Sequence, residues 1–246
     1  MKIAFLGKGG SGKSTLATAA VRHLHATGKH VLAIDADHNM DLSFNLGADG
    51  ERVALGSDPS LIKQHLDLPS DMSYADVAHE AQKRSVKFRL NPPDAYTSQI
   101  ISTIQPRLSL IMAGPHTDIV RSGEHCSHSL AAPLKVYLPL LELGVDEAVV
   151  IDERAGTDPV ATGILKGVDL AVIVAEPTVH SVRVAGQIAA ELELAQIPHV
   201  FVANKVRDDV SLFESLSKQP IARASFHAGD PPPDVIETIV AYAEAL

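Results

Sequence analysis

Short runs of Ile, Val, Ala and Leu recur along the chain, separated by longer stretches whose apolar residues return at helical spacing. The runs are Lys2–Leu6, His30–Ile34, Leu108–Met112, Ala148–Ile151, Leu170–Val174 and His199–Ala203. Each reads as a strand, and near-continuous apolar character is what burial on both faces of a sheet produces. Helices are predicted over Ser14–Ala26, Ser129–Leu143, Pro159–Lys166, Val179–Ala195 and Pro233–Leu246. This β–α rhythm predicts an α/β fold of three layers, a central mostly parallel sheet flanked by helices.

The rhythm breaks between Leu46 and Arg107. Loop signals (Gly56-Ser57-Asp58-Pro59, Pro69-Ser70-Asp71, Asn91-Pro92-Pro93-Asp94) surround one candidate helix, Tyr74–Arg84. The segment reads as an insertion covering an edge of the sheet, with a partner-facing role as the alternative. The 246 residues are otherwise expected to form a single domain, and no internal repeat is visible.

Composition narrows the function classes. A net charge of −9 argues against a broad nucleic-acid footprint, which needs clustered Lys and Arg. No apolar run approaches the roughly 18 residues of a membrane span, and the N-terminus lacks the plan of a signal peptide. One cysteine excludes an intrachain disulfide framework and suits a reducing cytoplasm, the expected location. Twelve histidines keep a metal role in view.

The candidate chemistry begins at Gly7-Lys8-Gly9-Gly10-Ser11-Gly12-Lys13-Ser14-Thr15, between the first predicted strand and helix. Gly7-x4-Gly12-Lys13-Ser14 fits the Walker A pattern. Glycines let backbone N–H groups converge on phosphate oxygens, aided by the positive end of the following helix. Lys13 is expected at the β- and γ-phosphates, Ser14 on Mg²⁺ and Thr15 near the α-phosphate. The spacing therefore predicts binding of a nucleoside triphosphate with Mg²⁺.

Lys8, directly after the first glycine, adds to this. Lys-Gly-Gly-x-Gly-Lys-Ser/Thr resembles the deviant Walker A loop of the MinD/ParA/nitrogenase iron protein class of P-loop ATPases. The resemblance implies a three-layer P-loop NTPase fold, with the extra lysine reaching the phosphates bound by the other subunit of a homodimer formed around ATP. The alternative for Lys8 is a solvated lysine at the loop mouth.

Asp35-Ala36-Asp37-His38-Asn39-Met40-Asp41 follows the second strand, where parallel sheets bind ligands. It resembles the switch I segment of that class, which implies that Asp37 orients or deprotonates the attacking water and that Asp35 supports Mg²⁺ or the loop. Asp41 reads instead as a helix N-cap. Val149-Val150-Ile151-Asp152 is an apolar strand ending in a carboxylate, a Walker B element, and Asp152 is expected to hold Mg²⁺ through water. Ala155-Gly156 resembles the switch II of the class, where Gly156 turns its N–H toward the γ-phosphate. Asn204-Lys205 falls where related nucleotidases contact the base. The residue two places after Lys205 is Arg207, whereas a guanine pocket wants Asp, so ATP is favoured over GTP. Pro231, in the run Asp230-Pro231-Pro232-Pro233, is a candidate wall for the base, although a Pro-initiated helix explains the run without a ligand.

Gly123-Glu124-His125-Cys126-Ser127-His128-Ser129-Leu130 precedes a Leu-rich stretch. It is similar to the Gly-Glu-x-Cys-x-Cys segment of the CooC family, ATPases that assist nickel insertion into carbon monoxide dehydrogenase. Other similar segments are Asp35-Ala36-Asp37-x-Asn39, Asp152-x-x-Ala155-Gly156, Gly167-Val168-Asp169-Leu170 and Asn204-Lys205-Val206. In that family, paired cysteines of two protomers form an interface metal site. Here His128 replaces the second cysteine, and Arg154 stands where the family tends to have Glu. The resemblance implies Cys126 and His128 of two protomers around Zn²⁺ or Ni²⁺, a Cys₂His₂ set suited to tetrahedral zinc. The alternative is a small half-buried cysteine and a surface histidine; His116 and His125 are weaker ligand candidates.

The expected function is a dimerising Mg-ATPase that acts on a metalloenzyme client in metallocentre assembly. The competing reading is a ParA/MinD-like positioning or scaffold ATPase with no metal. A small-molecule kinase is disfavoured by Lys8, and a four-cysteine cluster by the single cysteine. The last predicted helix carries Glu237 and Glu244 without Lys or Arg, the wrong charge for a membrane surface.

Overall fold

The chain's apolar runs form β1 (Lys2–Gly7), β2 (His30–Asp35), β5 (Leu108–Met112), β7 (Glu147–Asp152), β8 (Leu170–Ala175) and β9 (His199–Val206), the six strands expected. Four short strands join them: β3 (Phe88–Arg89), β4 (Ser102–Gln105), β6 (Leu141–Glu142) and β10 (Ala222–Ser225). The structure, a computed structural model, describes residues 1–48, 54–114, 130–207, 210–225 and 231–246.

Eight strands make one sheet in the order β10-β9-β8-β1-β7-β2-β5-β4. All neighbours are parallel except β4, which runs antiparallel to β5 and closes that edge. Every residue of β1, β7 and β8 is buried. β4 and β10 escape the sequence pattern because edge strands are half exposed; Ser102-Thr103-Ile104-Gln105 carries little apolar signal.

Helices cover both faces. On one lie α1 (Lys13–Ala26) and α9 (Pro233–Glu244). Leu16, Ala20 and Leu24 of α1 and Ile236, Ile239 and Val240 of α9 belong to one apolar cluster with the inward side chains of the sheet, and α9 packs against α1 and β10. These spacings are the apolar stripe of an amphipathic helix. On the other face lies α8 (Val179–Leu194), opened by Thr178, whose side chain accepts from the Ser181 N–H.

The segment between β2 and β5 contains α2 (Asp41–Asn45), α3 (Leu61–His65), α4 (Tyr74–Lys83) and α5 (Thr97–Ile100). Asp41 opens α2 as its first residue, and Met40, at φ 56°, occupies the cap position. The α4 helix packs against α6 (Leu134–Leu140), and β3 pairs with β6. Phe88, Tyr96, Tyr137 and His65 form an aromatic cluster beneath, with Phe88 and Tyr137 centroids 5.1 Å apart.

Two predicted helices are shorter than expected. Of Ser129–Leu143, helix covers only Leu134–Leu140; Pro133 caps it, Pro139 lies inside it, and Leu141–Glu142 leave as β6. Of Pro159–Lys166, helix survives only in α7 (Asp158–Ala161), since the chain turns at Gly163, φ 77°. No helix among the described residues is long and apolar enough to cross a membrane.

Candidate functional site

The carboxyl ends of five adjacent strands, β9, β8, β1, β7 and β2, bring polar residues to one rim of the sheet. Connections diverge there: the chain leaves β1 through α1 to β2, two places to one side, while β8 is its neighbour on the other. That divergence leaves the crevice in which open α/β sheets bind ligands.

The Gly7–Thr15 loop lies in this crevice between β1 and α1. Two glycines are required by contact. A Cβ on Gly7 would sit 2.4 Å from the Val174 carbonyl oxygen, and one on Gly12 would sit 2.2 Å from Asn204 Nδ2. Gly12 also has φ 96°, a left-handed conformation at the helix start. The Asn204 side chain donates to the Ser11 carbonyl at 2.9 Å, Lys205 Nζ donates to the Gly10 carbonyl, and Gly156 N–H donates to the Gly7 carbonyl at 3.1 Å. Among the described residues, no protein oxygen accepts from the backbone N–H of Gly10, Gly12, Lys13 or Ser14. Unused donors at the head of a helix are an anion site.

Beside the loop, Lys13 Nζ lies 3.6 Å from Asp37 Oδ2, both side chains nearly buried. Asp37 Oδ1 accepts from the Asn39 N–H at 3.1 Å and lies 3.4 Å from His38 Nδ1. Asp35 is turned toward α2, where its Oδ2 accepts from the N–H and the hydroxyl of Ser43, each at 2.7 Å; its Oδ1 has no partner. Burial pushes the Asp35 carboxyl up to about 6, against those two hydrogen bonds.

Asp152 is fully buried and neither of its oxygens closes a hydrogen bond, although the Ser14 hydroxyl approaches it. Burial pushes its carboxyl up to about 7; Lys13 and Ser14 oppose the shift, and Asp35 and Asp37 add to it. Next to it, Glu153 is buried with both oxygens unpartnered and is likewise raised to about 7 by burial, against the pull of Arg154. Arg154 is itself buried, with Nε and Nη2 unpaired. The cluster therefore holds more acceptor oxygen than the protein's own donors satisfy, beside a hydroxyl. Hard oxygen donors of this kind suit Mg²⁺.

Lys8 Nζ donates to the loop carbonyl of Gly9 at 3.2 Å. The same Nζ lies 3.2 Å from Glu176 Oε1, and Glu176 Oε2 is 3.8 Å from Lys205 Nζ. Glu176 follows the apolar run of β8, as Asp35 and Asp152 follow theirs; the same signal would have found it, and Glu153 beside Asp152. Thr15 lies in the first turn of α1, half-buried, and Pro231 is buried just ahead of α9. Asn204 is committed to the loop itself, with its Oδ1 buried and unpartnered. Cys126 and His128, together with His116 and His125, lie outside the described residues. Among the described residues, no three His, Cys, Asp or Glu side chains converge as metal ligands.

A strand–loop–helix with Gly7, Gly12, Lys13 and Ser14, set at the switch point of a parallel sheet, defines a P-loop nucleotide-binding protein. The chain belongs to the CbiA family, the CobQ/CobB/MinD/ParA nucleotide-binding domain, whose model matches residues 3–244. It is 31% identical over 215 residues to the carbon monoxide dehydrogenase accessory protein CooC of Rhodospirillum rubrum, covering 86% of this chain and 77% of that protein. It is 27% identical over 234 residues to an uncharacterized ATP-binding protein of Methanocaldococcus jannaschii, covering 90% of this chain and 86% of that one. A ParA family ATPase from Chlorobium tepidum superposes with a TM-score of 0.64 at 18% identity over 100% of this chain and 99% of the other, a likeness of fold.

Proposed function

We propose that this chain is a Mg-dependent ATPase that closes into a homodimer around ATP and serves, in the cytoplasm, in metallocentre assembly with a metalloenzyme client. The observation that carries the ATPase reading is the meeting of Lys13, Asp37 and Asp152 beside unused loop N–H groups in a chain of this family. The loop amides and Lys13 would hold the β- and γ-phosphates. Ser14, with Asp152 behind it, would hold Mg²⁺, which would supply charge neutralisation for phosphoryl transfer. Asp37, held by Lys13 and the Asn39 N–H, would orient a water. Phosphoryl transfer asks little more of a protein than this positioning. Asp35 supports the site from the side of Ser43, Gly156 must give up its bond to Gly7 to reach a γ-phosphate, and Asn204 and Lys205 shape the base end.

Lys8 gives the dimer reading its physical form. In the single chain Glu176 holds it, so reaching a second protomer's phosphates requires exchanging a carboxylate for a phosphate partner. Likeness to CooC supports the metallocentre role, with Cys126 and His128 of two protomers as ligands for Zn²⁺ or Ni²⁺. The test is sizing with a non-hydrolysable ATP analogue and Mg²⁺, followed by metal counting after addition of Zn²⁺ or Ni²⁺. Wild type should dimerise and bind about one ion per dimer, Lys8→Ala should stay monomeric, and Cys126→Ser should dimerise without the ion. A Lys8→Ala dimer defeats the cross-subunit role. Dimerisation without any metal uptake replaces the metallocentre role by the ParA/MinD-like one.

A further inference from the structure

Away from the nucleotide crevice, α4, α6 and the turns that follow α7 enclose a groove of about 720 Å³. Its walls combine small apolar surface from Ala75, Ala78 and Pro139 with the side chains of Lys135 and Lys166, and His79 lies on its rim. Among the described residues that line it none is acidic, in a chain where 30 Asp and Glu outnumber 21 Lys and Arg. The carboxylates of α4 are occupied elsewhere: Glu80 pairs with Lys83 and Arg84, and Asp76 accepts from the Ser73 hydroxyl. Neither Lys135 nor Lys166 has an ion pair among the described residues.

Lys135 is the uncomfortable group. It is half-buried, and its ammonium is held below the ordinary lysine range first by that burial and then by the charges of Arg154 and Lys166. A cation left part-desolvated among like charges lacks the partner that would compensate it. The floor is also firm: a Cβ on Gly167 would sit 2.6 Å from Pro139 Cα, so the turn wall rests directly on α6. A second hollow of about 300 Å³ shares Gly163, Lys166 and Gly167 with the groove and continues it past Lys166 toward Ile197.

The geometry points to this groove as the docking site for an acidic peptide segment of a partner protein, its carboxylates taken by Lys135 and Lys166 and its small apolar side chains by Ala75, Ala78 and Pro139. Charge complementarity selects the occupant. A long polyanion such as nucleic acid would meet the net negative charge of the surrounding chain, whereas a short acidic strand meets only the two lysines. The docking site stands apart from the nucleotide reading and is tested without nucleotide.

The probe is a fluorescently labelled ten-residue peptide of alternating Glu and Ala, measured by anisotropy at low and physiological salt. Solvent screens these part-exposed contacts to about 1 kcal/mol or less, about threefold to fivefold each, so Lys135→Ala/Lys166→Ala should weaken binding by about tenfold to twentyfold. Lys29→Ala/Lys218→Ala, which removes the same charge elsewhere, should change it less than threefold. Equal binding by the groove variant and wild type, or equal loss in both double variants, overturns the proposal. A labelled oligothymidylate that binds through Lys135 and Lys166 more tightly than the peptide overturns it in favour of nucleic acid.

Discussion

The aromatic cluster beneath α4 and the carboxylate rim above the sheet handle polar groups in opposite ways. Around Phe88, the Tyr137 hydroxyl shares a 3.1 Å hydrogen bond with Thr97, and Asp94 accepts from the N–H groups of Arg89, Tyr96 and Thr97 and from the Thr97 hydroxyl. Burial works against the Asp94 carboxylate, but these four bonds win and hold it below the usual range. Among the described residues there, only the Tyr96 hydroxyl is buried without a partner. At the rim, Asp35, Asp152 and Glu153 are buried with oxygens unpaired, and all three are raised. Satisfied polar groups stabilise a fold; unsatisfied ones cost stability and persist where a ligand completes them.

The largest expected effect breaks the first region alone. Phe88→Ala empties the centre of the cluster and should lower unfolding free energy by about 3–5 kcal/mol, read from urea titration. ATP affinity of the folded fraction should hold within about threefold, and a large loss there would mean that the two regions are coupled. Asp37→Ala does the converse. Turnover should fall about a hundredfold or more, as expected for loss of a water-orienting carboxylate, with nucleotide binding retained in a fluorescent-analogue titration. Undiminished hydrolysis would remove Asp37 from its role.

Smaller effects sharpen the contrast. Glu176→Gln removes the carboxylate that holds Lys8 and Lys205, both part-exposed. Solvent screens such pairs to about 1 kcal/mol or less, so the proposed ATP-bound dimer should tighten by at most about fivefold in sedimentation experiments. Weaker dimerisation would show that Glu176 helps Lys8 rather than restrains it. A further contrast is the pH dependence of nucleotide-free protein. A carboxyl raised to about 7 binds its proton more tightly folded than unfolded, so its share of stability is present below the ordinary Asp value and lost as pH rises from about 4 to 7. Asp94, lowered, has the opposite sign: its share is present above the ordinary value and lost as pH falls through its folded value. Asp152→Asn should therefore raise the urea midpoint at pH 7.5, and the gain should shrink steadily as pH falls toward about 4. A gain that persists unchanged at pH 5 would show that Asp152 is not the titrating group.

The contrast also separates what local pattern carries from what it does not. The six central strands were legible because burial on both faces demands continuous apolar runs, and α1, α8 and α9 because each presents a stripe to one sheet face. Lys13 and Asp152 were legible because a phosphate loop and a carboxylate at a strand end are local chemistry. Glu176 and Glu153 carried the same strand-end signal and went unread. The shortened helices have nearby causes in Pro139 and Gly163, but the end of α6 is set by the pairing of β6 with β3, which lies more than fifty residues earlier.

By itself, then, the sequence determined a parallel α/β sheet, its two principal helical covers and the phosphate loop with Lys13 and Ser14, since each follows from spacing within a few turns of chain. Only the tertiary structure decided that Asp35 faces Ser43, that Asn204 braces the loop carbonyl of Ser11, that Lys8 rests on Glu176, and that Lys135 and Lys166 share a groove in which no described lining residue is acidic. Those partners are separated by 8, 193, 168 and 31 residues. A hydrogen bond or a charge contact acts over a few ångströms of space, and only the folded sheet brings such distant residues that close.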